Sequence, residues 1–134
     1  MKITLCGSCR FENSWKFWNE LLTLRGHLVY SVTVLPSDKG GNKNWYNEKQ
    51  KRLLDLVHLK KIDDSDAILV ITNNEQNPDR KNSDIKNRYI GQSTLNEIMY
   101  ATLKGKYIIY DYEINLGRLI NQKNLFILAT GDDL

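Results

Sequence analysis

The chain has 134 residues, 19 of them Lys or Arg against 16 Asp or Glu for a formal charge of +3, and 41% are hydrophobic. That length holds one core and is too short for two ordinary domains, so residues 1–134 are expected to fold as a single domain. The two charge signs are interleaved, without the dense basic stripe of a nucleic-acid binder, and neither a signal peptide nor an apolar run of about 18 residues points to export or a membrane span.

In chain order, KITLC at residues 2–6 is a short apolar strand that stops at Gly7-Ser8. From residue 10 to 25, Phe11, Trp15, Trp18, Leu21 and Leu22 recur at three- and four-residue spacing, which predicts a helix, with Gly26 as its left-handed stop. Residues 28–35 alternate in period two up to Pro36 and predict a second strand at the sheet edge. Residues 37–44 read as a loop, and a helix is expected from about residue 46 to 63, its apolar side supplied by Leu53, Leu54, Leu56, Val57, Leu59 and Ile62.

The continuous branched run Ala67–Ile71 has the composition of a central parallel strand covered on both faces, and similar runs lie at Tyr107–Tyr110 and residues 125–129. A long polar stretch after the third strand is of the kind that either serves as a lid or stays disordered. Strands alternating with helical patterns predict an α/β fold: a flavodoxin-like, doubly wound, five-stranded parallel sheet of order 2-1-3-4-5 with helices on both faces. Ligands of such sheets sit beyond the carboxyl ends of the strands, near the switch point beside strand one.

Two stretches at that edge carry candidate chemistry. In CGSCR, Gly7 and Ser8 could bring backbone N–H groups and a hydroxyl to a sugar or phosphate, with Arg10 closing the same segment. A tight turn without a ligand would read the same, and neither the dinucleotide fingerprint nor a P-loop is present. In YIGQSTLNEIMYA, Thr94-x-x-Glu97 matches a capping box. The second reading makes Glu97 a carboxylate nucleophile at the mouth of the sheet, able to attack the anomeric carbon of a sugar. On a helical wheel Leu95, Ile98, Met99, Thr102 and Leu103 share a face taken as the buried one, which sets Glu97 on the other side.

His58 is open to the same double reading, as a satisfied histidine bordering the core or as a general acid for a departing base. Asp55 and Asp66 are carboxylates that could orient it, although Asp66, with Ser65, reads as a turn at the amino end of its strand. Cys6 and Cys9 have C-x-x-C spacing, but no second Cys pair exists and His27 and His58 lack finger spacing. Reduced thiols in a cytoplasmic protein are expected, with a redox pair as the alternative.

The stretches KITLCGS, RGHLV, HLKKIDDSDAILVI and YIGQSTLNEIMYATLKGKYI together resemble the nucleoside 2-deoxyribosyltransferase superfamily, including its 2′-deoxynucleoside 5′-phosphate N-hydrolases. The resemblance implies a doubly wound α/β fold and cleavage of an N-glycosidic bond, the sugar passing to another base or to water. It implies a nucleoside or nucleotide substrate, no metal or organic cofactor and a homo-oligomer; that no nucleic-acid or membrane partner is expected follows from the charge pattern and the missing apolar span above. Carried over residue by residue, it makes Glu97 the nucleophile, sets Gly7 and Ser8 against the sugar or phosphate, and gives a phosphate site to Gly91, Ser93 and Thr94. One departure stands out: where the family has an aspartate that assists proton transfer to the base, eight residues before Asp66, this chain has His58. The function expected is therefore an N-glycosidic-bond enzyme using Glu97 and His58, and the alternative is a non-catalytic domain that binds or senses a nucleotide in the same pocket.

Overall fold

The computed structural model describes residues 1–33, 35, 45–75 and 87–114. Four strands, β1 (Lys2–Gly7), β2 (Leu28–Tyr30), β3 (Ala67–Ile71) and β4 (Tyr107–Tyr110), alternate with helices α1 (Glu12–Leu24), α2 (Glu48–Asp63) and α3 (Gln92–Leu103). A 3-10 turn, Asp111–Glu113, follows β4. The strands form one parallel sheet of order β2-β1-β3-β4. The fifth strand expected at residues 125–129 lies outside the described residues, as does most of the long polar loop. Among the described residues, only Leu28–Tyr30 of the second strand's expected run pair with β1.

Alternation along the strands builds two unlike layers. Ile3 and Leu5 of β1, with Ala67, Leu69 and Ile71 of β3, meet Trp15, Trp18 and Leu22 of α1 in a fully apolar cluster. The side chains between them, Cys6 of β1 with Ile68 and Val70 of β3, face α2 and α3, where Ile62 and Ala101 complete a second, smaller cluster. Thr4 on this side shares a hydrogen bond with Ser65, whose hydroxyl also donates to the Lys61 carbonyl.

Helix ends follow local chemistry. Gly26 takes φ 86° and closes α1 with paired bonds, Gly26 N–H to the Thr23 carbonyl and His27 N–H to the Leu22 carbonyl. Gly105, at φ 70°, ends α3 in the same way. The capping box of this chain begins α2: the Asn47 side chain accepts from the Gln50 amide at 2.9 Å, and the Gln50 side chain accepts from the Asn47 amide at 3.0 Å.

The capping box expected at Thr94 and Glu97 is not formed. The N-cap of α3 is Gly91 with no side-chain cap, so the helix starts earlier than the motif suggests and Thr94 sits inside its first turn, buried. The buried face also differs from the expected one. Ala101 is fully buried and Ile98 packs with it, whereas Leu95, Met99 and Leu103, expected in the core, are 43%, 63% and 85% exposed. Glu97 therefore lies on the side that turns toward α2 and the sheet. Among the described residues, no helix is long and apolar enough to cross a membrane.

Candidate active site

The parallel sheet brings the ends of β1 and β3, the exit from β1 and the start of α3 to one edge. There a cleft of about 620 Å³ is lined by Gly7, Ser8, His58, Gly91, Ser93, Thr94 and Glu97 together with Trp15, Tyr46, Asp55 and Tyr89. This volume lies within the usual range for small-molecule sites.

Gly7 has a packing reason to be glycine. It pairs with Ile71, and a Cβ there would meet the Ile71 carbonyl oxygen at 2.7 Å. The turn that follows is pinned from α1, since the Trp15 indole donates to the Ser8 carbonyl at 3.0 Å and the Phe11 amide donates to the same oxygen. Ser8 also holds Arg10, whose Nε donates to the Ser8 hydroxyl at 3.2 Å. Arg10 itself is not a lining residue; its guanidinium stacks over Tyr89, which is. Gly91, Ser93 and Thr94 border the cleft at the N-terminus of α3, where the first-turn amides have no side-chain cap. Such amides, at the positive end of a helix, suit an anion.

On the facing wall α2 delivers His58 and α3 delivers Glu97, with His58 Nε2 3.3 Å from Glu97 Oε2 and 3.6 Å from Cys6 Sγ. Both side chains are largely buried, and Glu97 Oε2 has no well-aligned hydrogen bond. Burial dominates the electrostatics of all three groups. It pushes the Glu97 carboxyl up to about 7; a hydrogen bond with the Cys6 thiol opposes this and the Asp55 carboxylate adds to it. It pushes the His58 imidazole down to about 4, with the charge of Lys61 in the same direction and a ring hydrogen bond to the Leu5 backbone against it. The Cys6 thiol is raised well above its ordinary value, by burial first and then by Glu97. A thiol so placed stays protonated and is a poor redox nucleophile. Cys9 is raised as well, again by burial and then Glu97, and both cysteines are free.

The candidates thus converge, apart from Arg10, which touches the site through Ser8 and Tyr89. Asp66 stays outside, as its turn reading requires: its carboxylate accepts from the Lys2 amide at 2.8 Å. Asp55, in contrast, lines the cleft.

The sequence reading missed the scaffold behind β3. There Asp111, fully buried, accepts from the Thr72 amide, the Thr72 hydroxyl and the Asn73 side chain, and Arg88 pairs with it at 3.3 Å. The Thr72 carbonyl in turn accepts from the Tyr89 amide at 2.7 Å, so this network holds an aromatic wall of the cleft in place. Cys6 was missed as a site residue too, although it alternates with the core residue Leu5 and must therefore face α2 and α3.

No protein-family model and no curated protein matches the chain. Among solved structures it is similar to a 2-deoxyribosyltransferase from the psychrotolerant bacterium Bacillus psychrosaccharolyticus, at 16% identity and a TM-score of 0.58 over 82% of this chain and 71% of that one. A CMP N-glycosidase from Clostridium botulinum also matches, at 18% identity and a TM-score of 0.46 over 82% of this chain and 70% of that one. Both belong to the nucleoside 2-deoxyribosyltransferase-like superfamily. At such identity it is the fold that is established, on the first of the two: the chain has the parallel α/β architecture of a 2-deoxyribosyltransferase.

Proposed function

We propose that this protein cleaves the N-glycosidic bond of a ribo- or deoxyribonucleoside, or of its monophosphate, and passes the sugar from Glu97 to another base or to water. The observation that carries this reading is the placement of the Glu97 carboxyl 3.3 Å from His58 Nε2 on one wall of a cleft whose rim is the Gly7-Ser8 turn.

The two shifted groups divide the chemistry. Between about pH 4 and about pH 7 the pair holds one proton, resting on Glu97. Moving that proton to His58 produces the carboxylate that attacks C1′ and the imidazolium that serves the leaving base. As the Glu97 oxygen bonds to C1′, the C1′–N bond breaks, and its electron pair takes the proton from His58, directly or through water. An acceptor base or water then attacks C1′, displaces the Glu97 carboxylate and returns a proton to the pair. His58 thereby fills the place of the family's aspartate with a group of different charge. Gly7 and Ser8 hold the sugar, and the uncapped start of α3 with Gly91, Ser93 and Thr94 takes a 5′-phosphate where one is present. Arg10 adds positive charge beside this rim and holds Ser8.

The proposal includes a homo-oligomer of single-domain subunits, for which the exposed Leu95, Met99 and Leu103 of α3 offer apolar surface to cover. Incubating the protein with a panel of nucleosides and monophosphates, with and without an acceptor base, tests the activity. Free base or exchanged nucleoside from wild type, lost in Glu97→Ala and His58→Ala, supports it. Nucleotide binding by wild type with no base released from any substrate would favour the binding domain instead.

A further inference from the structure

Cys6, His58 and Glu97 come from β1, α2 and α3, and one donor atom from each lies within 4.8 Å of the other two. Their spacing fits a metal ion as well as a proton. Zinc bonds of about 2.3 Å to sulfur and about 2.0–2.1 Å to nitrogen and oxygen, opened to a tetrahedral angle, separate sulfur from nitrogen by about 3.6 Å and nitrogen from oxygen by about 3.3 Å. Here Cys6 Sγ and His58 Nε2 are 3.6 Å apart, and His58 Nε2 and Glu97 Oε2 are 3.3 Å apart.

Other features agree. Glu97 Oε2 is buried and makes no well-aligned hydrogen bond even with His58 Nε2 3.3 Å away, which leaves it open to a cation. The imidazole is tied to the Leu5 backbone, the kind of outer contact that orients a ligating histidine. A thiolate, an imidazole and one carboxylate select a borderline-soft ion of the zinc type over magnesium or calcium, which take oxygen ligands.

We propose that Cys6, His58 and Glu97 bind a divalent cation of the zinc class with three protein ligands, and that the bound ion blocks Glu97 as a nucleophile. Binding stands on the donor geometry alone, whereas blocking rests on the function proposed above. The ion takes the Cys6 sulfur as thiolate, releasing the thiol proton to solvent, and any proton on Glu97 leaves with it. The fourth position of a tetrahedral ion remains for water or a ligand in the cleft. The carboxyl oxygen on the metal is then unavailable to C1′, so zinc acts as a reversible inhibitor.

Cobalt(II) is a spectroscopic stand-in for zinc in such sites. Adding Co²⁺ to chelator-treated, reduced protein is expected to produce a thiolate-to-metal charge-transfer band at one ion per chain, removed by stoichiometric Zn²⁺. Cys6→Ser should abolish the band, and Cys6→Ser and His58→Gln should each weaken zinc binding by at least about 100-fold, the upper range for loss of even an outer-shell partner. If Cys6→Ser fails to fold, the His58→Gln variant carries the test. Absence of the band in wild type, or a band that survives Cys6→Ser and vanishes in Cys9→Ser, would overturn the assignment. In the same samples, zinc should abolish base release and a chelator should restore it. A cobalt band from a protein that never releases base would leave the metal site standing and remove the enzymatic reading.

Discussion

The two faces of the sheet are built from alternate residues of the same strands and reach opposite ends. Against α1 the sheet buries Ile3, Leu5, Leu69 and Ile71 beneath two tryptophans, an apolar layer whose contact with the site is the Trp15 indole that holds the Ser8 turn. Against α2 and α3 the neighbouring positions supply Thr4 and Cys6, the helices add His58 and Glu97, and the turn after α2 adds Ser65, so that this layer buries polar and titratable groups. A buried carboxyl and imidazole cost stability. The apolar layer offsets that cost and holds β1 rigid, so that Gly7 and Cys6 are presented at a defined place. One face supplies stability and the other spends part of it on a site, a division common in enzymes.

Breaking the polar face should cost most in function and least in stability. Glu97→Gln is expected to lower base release by at least about a thousandfold, because it removes the group proposed to form the sugar ester. The same variant should be more stable than wild type at high pH. The Glu97 pKa is raised to about 7, so its stabilising contribution is complete below the ordinary carboxyl range and is lost as pH rises through about 7. By pH 8 the gain in Glu97→Gln should be on the order of 2 to 3 kcal/mol, discounted for the partial exposure of the side chain. Chemical denaturation of both proteins at pH 5 and pH 8 checks the sign.

Breaking the apolar face should do the reverse. Trp18→Ala is expected to cost about 3–5 kcal/mol of folding stability, while the protein that remains folded keeps its activity per molecule in a denaturation-corrected assay.

The division of labour within the polar face is read from pH. With chelator present, kcat/KM of wild type should follow a bell with limbs near about 4 and about 7. His58→Gln should lower it by about 10²- to 10⁴-fold and change the shape of that bell; an unchanged profile would make His58 a packing residue. The smallest effect is expected at the exposed start of α2, where Asn47→Ala should cost about 1 kcal/mol by removing the cap, measurable as a shift in the denaturation midpoint.

Local rules were enough for much of this. The branched run Ala67–Ile71 and the Gly26 stop are fixed by composition and by a single φ, and both emerge where the sequence sets them. The start of α3 was misread because the Thr94-x-x-Glu97 pattern says nothing about an uncapped Gly91 upstream, and its buried face was misread separately, because packing against the sheet and α2 selects the side of Ile98 and Ala101 and leaves Leu95, Met99 and Leu103 exposed. That choice of face turns Glu97 toward His58. The Asp111 network depends on contacts between residues far apart in the chain, for which no periodicity exists to read, and alternation with Leu5 gives the side that Cys6 faces but not that His58 meets it there.

The most direct test of the central claim is to trap the intermediate. The protein is incubated with a 2′-fluoro-2′-deoxynucleoside, whose fluorine slows release of the sugar, then quenched in acid, digested and weighed peptide by peptide. The account predicts one added fluorosugar on the peptide that contains Glu97, absent from Glu97→Gln. Base release with no adduct on that peptide, or an adduct on another carboxylate such as Asp55, would contradict it.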